Sequence, residues 1–346
     1  MLNYTNVNLQ KIAVHRVGNK HRAERNFISE NLLQPDEALI DALHTFFLKP
    51  LKRSEELYHF VHSSDIKLNE IYSYAETIFG DPETLLSESK NILHHLYAQS
   101  NHPNIKSGEV YVAYFTDLLI DDEVVDAVGI FKSERKNTFL KVSDNGESLS
   151  LNLTDGISIE KADKCCLIVN TQAADGFRVL TMDNNNYDAL YWTHNFLAVD
   201  YVEDENFHTK LYMDMVTEFA QEVVAPKADK REQVAFMANT VDYFTNTETF
   251  DFDDFTEKVT ATNPGFKEEL NTYREDFGLE ETNGFEISQT AFKNAKRKIK
   301  TNIKLDTGIS IKLDANDPAS SENFVERGYD DEKKMSYYKI YFNEES

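Results

Sequence analysis

The stretch from residue 109 to residue 182 constrains the fold most. It is a series of short runs rich in Val, Tyr, Phe, Leu and Ile, each closed by a polar turn. Glu109 to Ile120, Val124 to Lys132, Thr138 to Val142, Ser148 to Leu153, Cys165 to Asn170 and Phe177 to Met182 all suit strands. Such spacing reads as a meander-type antiparallel sheet. Helical patterns precede it. The first follows Pro35, with Leu39, Ala42, Leu43, Phe46 and Phe47 as its apolar stripe and Pro50 as its stop. Leu68 to Phe79 and Leu85 to Ala98 follow, the latter with Ser89 on or near its inward side. These helices are expected to cover one face of the sheet, which makes the fold class α+β rather than βαβ.

Beyond Val202-Glu203-Asp204-Glu205-Asn206 the period changes to that of helices. Leu211 to Val224, Lys230 to Phe244, Phe250 to Val259, Phe266 to Phe277 and Ser288 to Ile299 are predicted helical, with Pro226 ending the first. Strand character returns at Ile299 to Leu305, Ile309 to Leu313 and Met335 to Phe342. The expected organisation is an α+β sheet domain over residues 1–204. A mostly helical subdomain with a C-terminal β element is expected over residues 205–346.

The charge limits the partners. With 36 Lys+Arg against 60 Asp+Glu, the 346-residue chain carries −24. It repels polyanions at long range, which excludes wholesale neutralisation of nucleic acid and leaves only a local basic face. No apolar run reaches the roughly 20 residues of a membrane helix, so no membrane partner is expected. The polar start, Met1 to Lys11, lacks a signal-peptide core and points to the cytoplasm. Cys165 and Cys166 are adjacent and should point to opposite faces of a strand, which disfavours a structural disulfide.

The sharpest local feature is basic. From Phe285 to Lys312 there are seven Lys/Arg and two acids, a local charge of +5. On a helix Lys293, Lys296, Arg297 and Lys300 share one face, with Lys304 beyond them, while Phe292, Ala295 and Ile299 turn inward. These five cations are the candidate DNA phosphate contacts, in a sequence-independent mode. The alternative is that they solvate the helix and pair with the chain's own surplus acids.

Other constellations say less. Tyr111, Tyr114 and Phe115, and later Tyr187, Tyr191 and Trp192, could stack on bases, but core packing is the simpler use. His59/His62 and His94/His95 lack a metal-site spacing. Asp251, Asp253 and Asp254 suit a helix start, and Asp121-Asp122-Glu123 suits a hairpin turn. No phosphate-binding glycine loop, zinc or calcium motif is present, so no catalytic residue, no metal and no cofactor is expected.

Several blocks share a resemblance. They are Ile12-Ala13-Val14-His15, Leu68 to Tyr74, His102-Pro103-Asn104-Ile105-Lys106-Ser107-Gly108, and Gly129 to Glu134 with Thr138 to Val142. Tyr191-Trp192, Phe196-Leu197, Ile303 to Asp306, Gly328-Tyr329-Asp330 and Tyr337 to Phe342 complete the set. In this order the chain resembles the 37-kDa nucleoid-associated protein family of bacteria, in the form of its Bacteroidetes-like branch. The resemblance implies a non-enzymatic cytoplasmic protein at the compacted chromosome. It implies association with DNA, directly or through a DNA-handling protein such as a topoisomerase. A homodimer fits the resemblance. The acidic charge also fits an adaptor that reaches the nucleoid indirectly by binding a basic, DNA-engaged protein.

Overall fold

The computed structural model describes the chain except residues 1, 5–6, 53–55, 121–122, 161, 185–189, 262, 298, 300–301, 313–323 and 345–346. It forms two compact units, Met1–Val202 and Glu203–Ser346. The fold is mixed, with helices and a large antiparallel sheet.

In the first unit β1 (Leu2–Asn3) and β2 (Asn8–Val17) both pair with one edge of β4 (Gly108–Ile120). From β4 the sheet runs through β5 (Glu123–Ser133), β8 (Lys164–Val169), β9 (Arg178–Asp183), β3 (Tyr58–Phe60) and β10 (Val199–Tyr201), every pair antiparallel. The intervening β6 (Asn137–Asp144) and β7 (Leu149–Gly156) leave this sheet and form a hairpin of their own. The outer edge of β2 is covered by the following segment. Arg16 and Phe27 exchange backbone hydrogen bonds of 2.9 and 2.8 Å, and Leu33 N–H donates to Ile12 O. A capped edge of this kind removes a template for edge-to-edge aggregation.

Helices lie on both faces, which corrects the expectation of one. α1 (Glu37–Leu51) packs Leu43, Phe46 and Phe47 against Phe115, Phe131, Cys165 and Leu167. Phe47 stacks on Phe131 with centroids 4.1 Å apart. α2 (Glu70–Gly80), α3 (Leu85–Gln99) and the π-helical turn Leu190–Leu197 cover Val110, Val112, Ile130, Cys166 and Ile168 on the other side. The physical reason is in the strands: all six residues of β8 are buried, so there is no polar alternation to mark a wet face. Pro50 lies inside the last turn of α1 rather than stopping it. A proline this close to a helix end disturbs few bonds.

Two buried asparagines fix loops to this sheet. Asn69 caps α2 by accepting from Tyr72 N–H, and its amide donates to the carbonyls of Val61, Leu197 and Ala198. Asn19, fully buried, does the same between the loop after β2 and the loop before β4. Its amide donates to His102 O at 2.9 Å and Ile105 O at 2.6 Å, and its Oδ1 accepts from Arg22 N–H. Gly108 closes the second loop. A Cβ there would fall 1.9 Å from Ser133 O, so only glycine lets β4 approach β5 at this point.

In the second unit α4 (Glu205–Phe219) continues through a π-helical stretch, Ala220–Val224, into the single turn α5 (Ala225–Lys227). Pro226 therefore does not end the helical path; it sits in the first turn of α5, where its missing N–H is tolerated. α6 (Lys230–Asn246), β11 (Thr249–Asp251), α7 (Phe252–Val259), α8 (Phe266–Asp276), β12 (Gly284–Glu286) and α9 (Gln289–Lys296) follow. Their core is aromatic, with Tyr212, Phe219, Phe244, Phe250, Phe255 and Phe292 at its centre. The tail makes two hairpins, β13 (Asn302–Lys304) with β14 (Ser310–Lys312), and β15 (Val325–Asp330) with β16 (Met335–Ile340).

Candidate nucleic-acid interface

The basic helix is built from its cap upward. Ser288 precedes α9, its Oγ accepting from Ala291 N–H and donating to Asn206 Oδ1. Ala291 and Phe292 are buried, and Phe292 stacks on Phe244 at 5.7 Å. Anchoring that side turns the other outward. Lys293 is exposed. Lys296 is half-buried, its Nζ 5.7 Å from the Phe292 centroid. Arg297 is exposed and donates to Asn294 Oδ1 at 3.0 Å. The helix ends at Lys296, earlier than the predicted Ile299. Cations in a last turn suit the negative end of the helix dipole. The structure thus brings Lys293, Lys296 and Arg297 together. Lys300 lies outside the described residues, and Lys304 is described only as backbone, at the end of β13.

The aromatic candidates are core. Tyr114, Phe115, Tyr191 and Trp192 are buried, and Trp192 Nε1 donates to Thr181 Oγ1 at 2.9 Å. Burial pushes the half-buried Tyr111 phenol up to about 12. Tyr187 lies outside the described residues. Asp251 caps α7, accepting from Asp254 N–H. Asp121 and Asp122 lie outside the described residues, between the paired Ile120 and Glu123. Cys165 and Cys166 face opposite cores, and burial pushes both thiols up. Among the described residues no group of three His, Cys, Asp or Glu could hold a metal ion.

Sequence reasoning missed a buried charged row. Register places Lys132 opposite Lys164, and Lys164 opposite Asp183. Lys132 is fully buried; its Nζ donates to Glu134 at 2.7 Å and to Lys106 O at 2.6 Å. Lys164 pairs with Asp183, and both ammonium groups lie 5.6 Å from the Tyr191 ring. Burial lowers the Lys132 pKa, while Glu134 opposes that shift. The row is a structural clamp at one end of the sheet, closed to solvent. Nothing in the spacing of residues 132, 134, 164 and 183 announces it, because strand register alone assembles it.

The comparisons bear on the whole chain. A family model described as nucleoid-associated protein YejK matches residues 13–334. The match spans both units, from within β2 to the β15–β16 turn. The chain belongs to this family. The nucleoid-associated family resides at the bacterial chromosome, in the cytoplasm. No curated protein matches the chain significantly. Among the described residues no helix is long and apolar enough to cross a membrane.

Proposed function

We propose that this nucleoid-associated chain is not an enzyme and contacts DNA itself, weakly and without sequence preference, through backbone phosphates. Family membership is the observation that carries this reading. Lys293, Lys296 and Arg297, gathered on the outward side of α9, support it with a cationic contact, which Lys300 and Lys304 would extend. Phosphate contacts release counterions, so binding should weaken steeply between about 50 and 200 mM salt. A gel-shift series over that range tests this. Reversing Lys293, Lys296, Arg297 and Lys300 to Glu should abolish retention. Binding that ignores salt would contradict phosphate contact. A chain that shifts no naked DNA, yet leaves the nucleoid when a topoisomerase or another DNA-handling partner is depleted, would be the adaptor.

The same reading makes the chain a homodimer, and the β6–β7 hairpin supports it. Leu140 pairs with Leu153, Val142 with Leu151 and Asp144 with Leu149. Directly opposed residues share a face, so five aliphatic side chains line one side of the ribbon. They are 58–73% exposed. A lone two-stranded ribbon is marginal in water. A twofold axis would lay this face on its own copy, apolar against apolar, with Asp144 and Asp155 at the rims. At roughly 60–120 Å² per aliphatic side chain, the strip alone gives a modest interface, in the range of a weak dimer.

A further inference from the structure

A second cationic surface is assembled where β2 ends and β4 begins, from stretches far apart in sequence. Arg16 closes β2 beside Glu109 of β4, which faces Ser133 of β5. The loop after β2 brings Lys20, His21, Arg22 and Arg25; the loop before β4 brings His102 and Lys106; Arg135 and Lys136 follow β5. All of these side chains are exposed, Arg135 with 53% of its side chain accessible.

The nearby carboxylates are already engaged. Glu24 accepts from Asn19 N–H at 3.0 Å and from Arg22 at 2.8 Å. Glu109 is shared by Arg16 and Lys136 at 3.1 Å each. Asp163 is 10% accessible, accepts from Glu134 N–H and Arg135 N–H, and lies 3.6 Å from the Arg135 Nε. Against these three acids stand seven Lys and Arg, and no acid at all occurs between Glu88 and Glu109. Lys20, Arg25 and Lys106 make no ion pair with any described residue. On a molecule of −24, that local excess needs a use or a counter-charge.

The surface is also stiff. Asn19 pins one loop to the other, Lys20 N–H donates to Ser100 O, and Arg22 Nη1 donates to Pro103 O at 2.9 Å. The buried Lys132 ammonium holds Lys106 O from below. Ala23 takes a left-handed conformation (φ 54°) in the first loop, a strained geometry kept only where its surroundings over-determine it. Loops already ordered lose little entropy on binding.

We propose that the paired loops 18–26 and 100–107 form a docking surface for the phosphate backbone of duplex DNA, with Lys20, Arg25 and Lys106 as its contact cations. A linear array of phosphates suits rigid, separate cations without an apolar pocket, because each contact gains by counterion release. The inference rests on the reading that the chain touches DNA itself, and places a contact in the sheet unit in addition to α9.

The test uses the full chain and a fluorescently labelled random-sequence duplex of about 30 base pairs, read by anisotropy across a salt series. Replacing Lys20, Arg25 and Lys106 together by Gln removes three contacts. The slope of log affinity against log salt should fall by about 2.7, and affinity near 0.1 M salt by about 10²-fold. Lys20→Arg with Lys106→Arg should keep both, and an unchanged melting curve shows that the fold survives. Wild-type affinity and slope in the Gln variant overturn the proposal. If only the α9 variant loses binding, this surface fails and the α9 contact stands. If the unaltered chain binds no duplex at any salt, both contacts fall and the adaptor remains.

Discussion

His15 is 2% exposed in β2, and both its ring nitrogens are engaged. Ser29 N–H donates to Nδ1 at 3.1 Å, so the proton sits on Nε2, which faces Ser89 Oγ at 2.9 Å. Ser89 Oγ in turn donates to Leu86 O. The pair cannot act as a nucleophile and its base: the imidazole nitrogen beside the hydroxyl is already protonated. It works instead as a latch for the segment that covers β2, where the Ser29 hydroxyl also bonds Val14 O. Burial, then the Lys90 ammonium and His94, hold the imidazole below its ordinary value, with Glu30 opposing them. The unfolded chain therefore takes up this proton first. Its contribution is full above about pH 6.5 and is lost on acidification, by about 1.4 kcal/mol per pH unit. Melting temperature should fall between about pH 7 and pH 5.5, and less steeply in His15→Gln. Equal slopes in the two proteins would rule out the latch.

At the scale of elements, the paired loops hang on Asn19. Asn19→Ala removes three hydrogen bonds and strands the carbonyl of Ile105 and the N–H of Arg22, while His102 O keeps its bond from Ile105 N–H. Chemical denaturation should show a loss of about 2–3 kcal/mol. A loss under about 0.5 kcal/mol would mean water replaces the side chain. This loop pair also marks the limit of what the sequence tells. Strands β4, β5, β8 and β9 are plain from their composition, and α2 and α3 from their period. The His102 to Gly108 block signals the family, but its physical work does not show in it. That work depends on a side chain 83 positions earlier, Asn19, and on Lys132 across the sheet. Second-face cover was hidden for a related reason, since a strand buried on both sides shows no alternation. Lys293, Lys296 and Arg297 are legible because one short helix carries them. Lys20, Arg25 and Lys106 are not, because tertiary contacts gather them.

For the whole molecule, charge opposes association of either kind, with different consequences. Two chains of −24 repel one another, and salt screens that repulsion. Self-association through the aliphatic face of β6–β7 should therefore strengthen as salt rises, while DNA binding weakens. Sedimentation equilibrium at about 0.05 and 0.5 M salt should show the dimer fraction rising. Leu140→Ser with Leu151→Ser and Leu153→Ser should leave a monomer at both. A wild-type monomer throughout, or a variant that dimerises as well as wild type, would remove the hairpin from the interface. If both proposed contacts form, occupancy at the chromosome should be set by ionic strength, with pairing and phosphate contact pulling in opposite directions.

Cys165 and Cys166 offer a way to watch the sheet open. Neighbours in sequence, they look into separate interiors, Cys165 toward α1 and Cys166 toward α2 and α3. Geometry keeps them from bridging to each other, and protonation keeps both sulfurs sluggish toward alkylating reagents and peroxide while the strand stays covered. Labelling of one sulfur ahead of its neighbour would report which layer of helices lifts away first, giving this protein a two-sided clock of its own breathing.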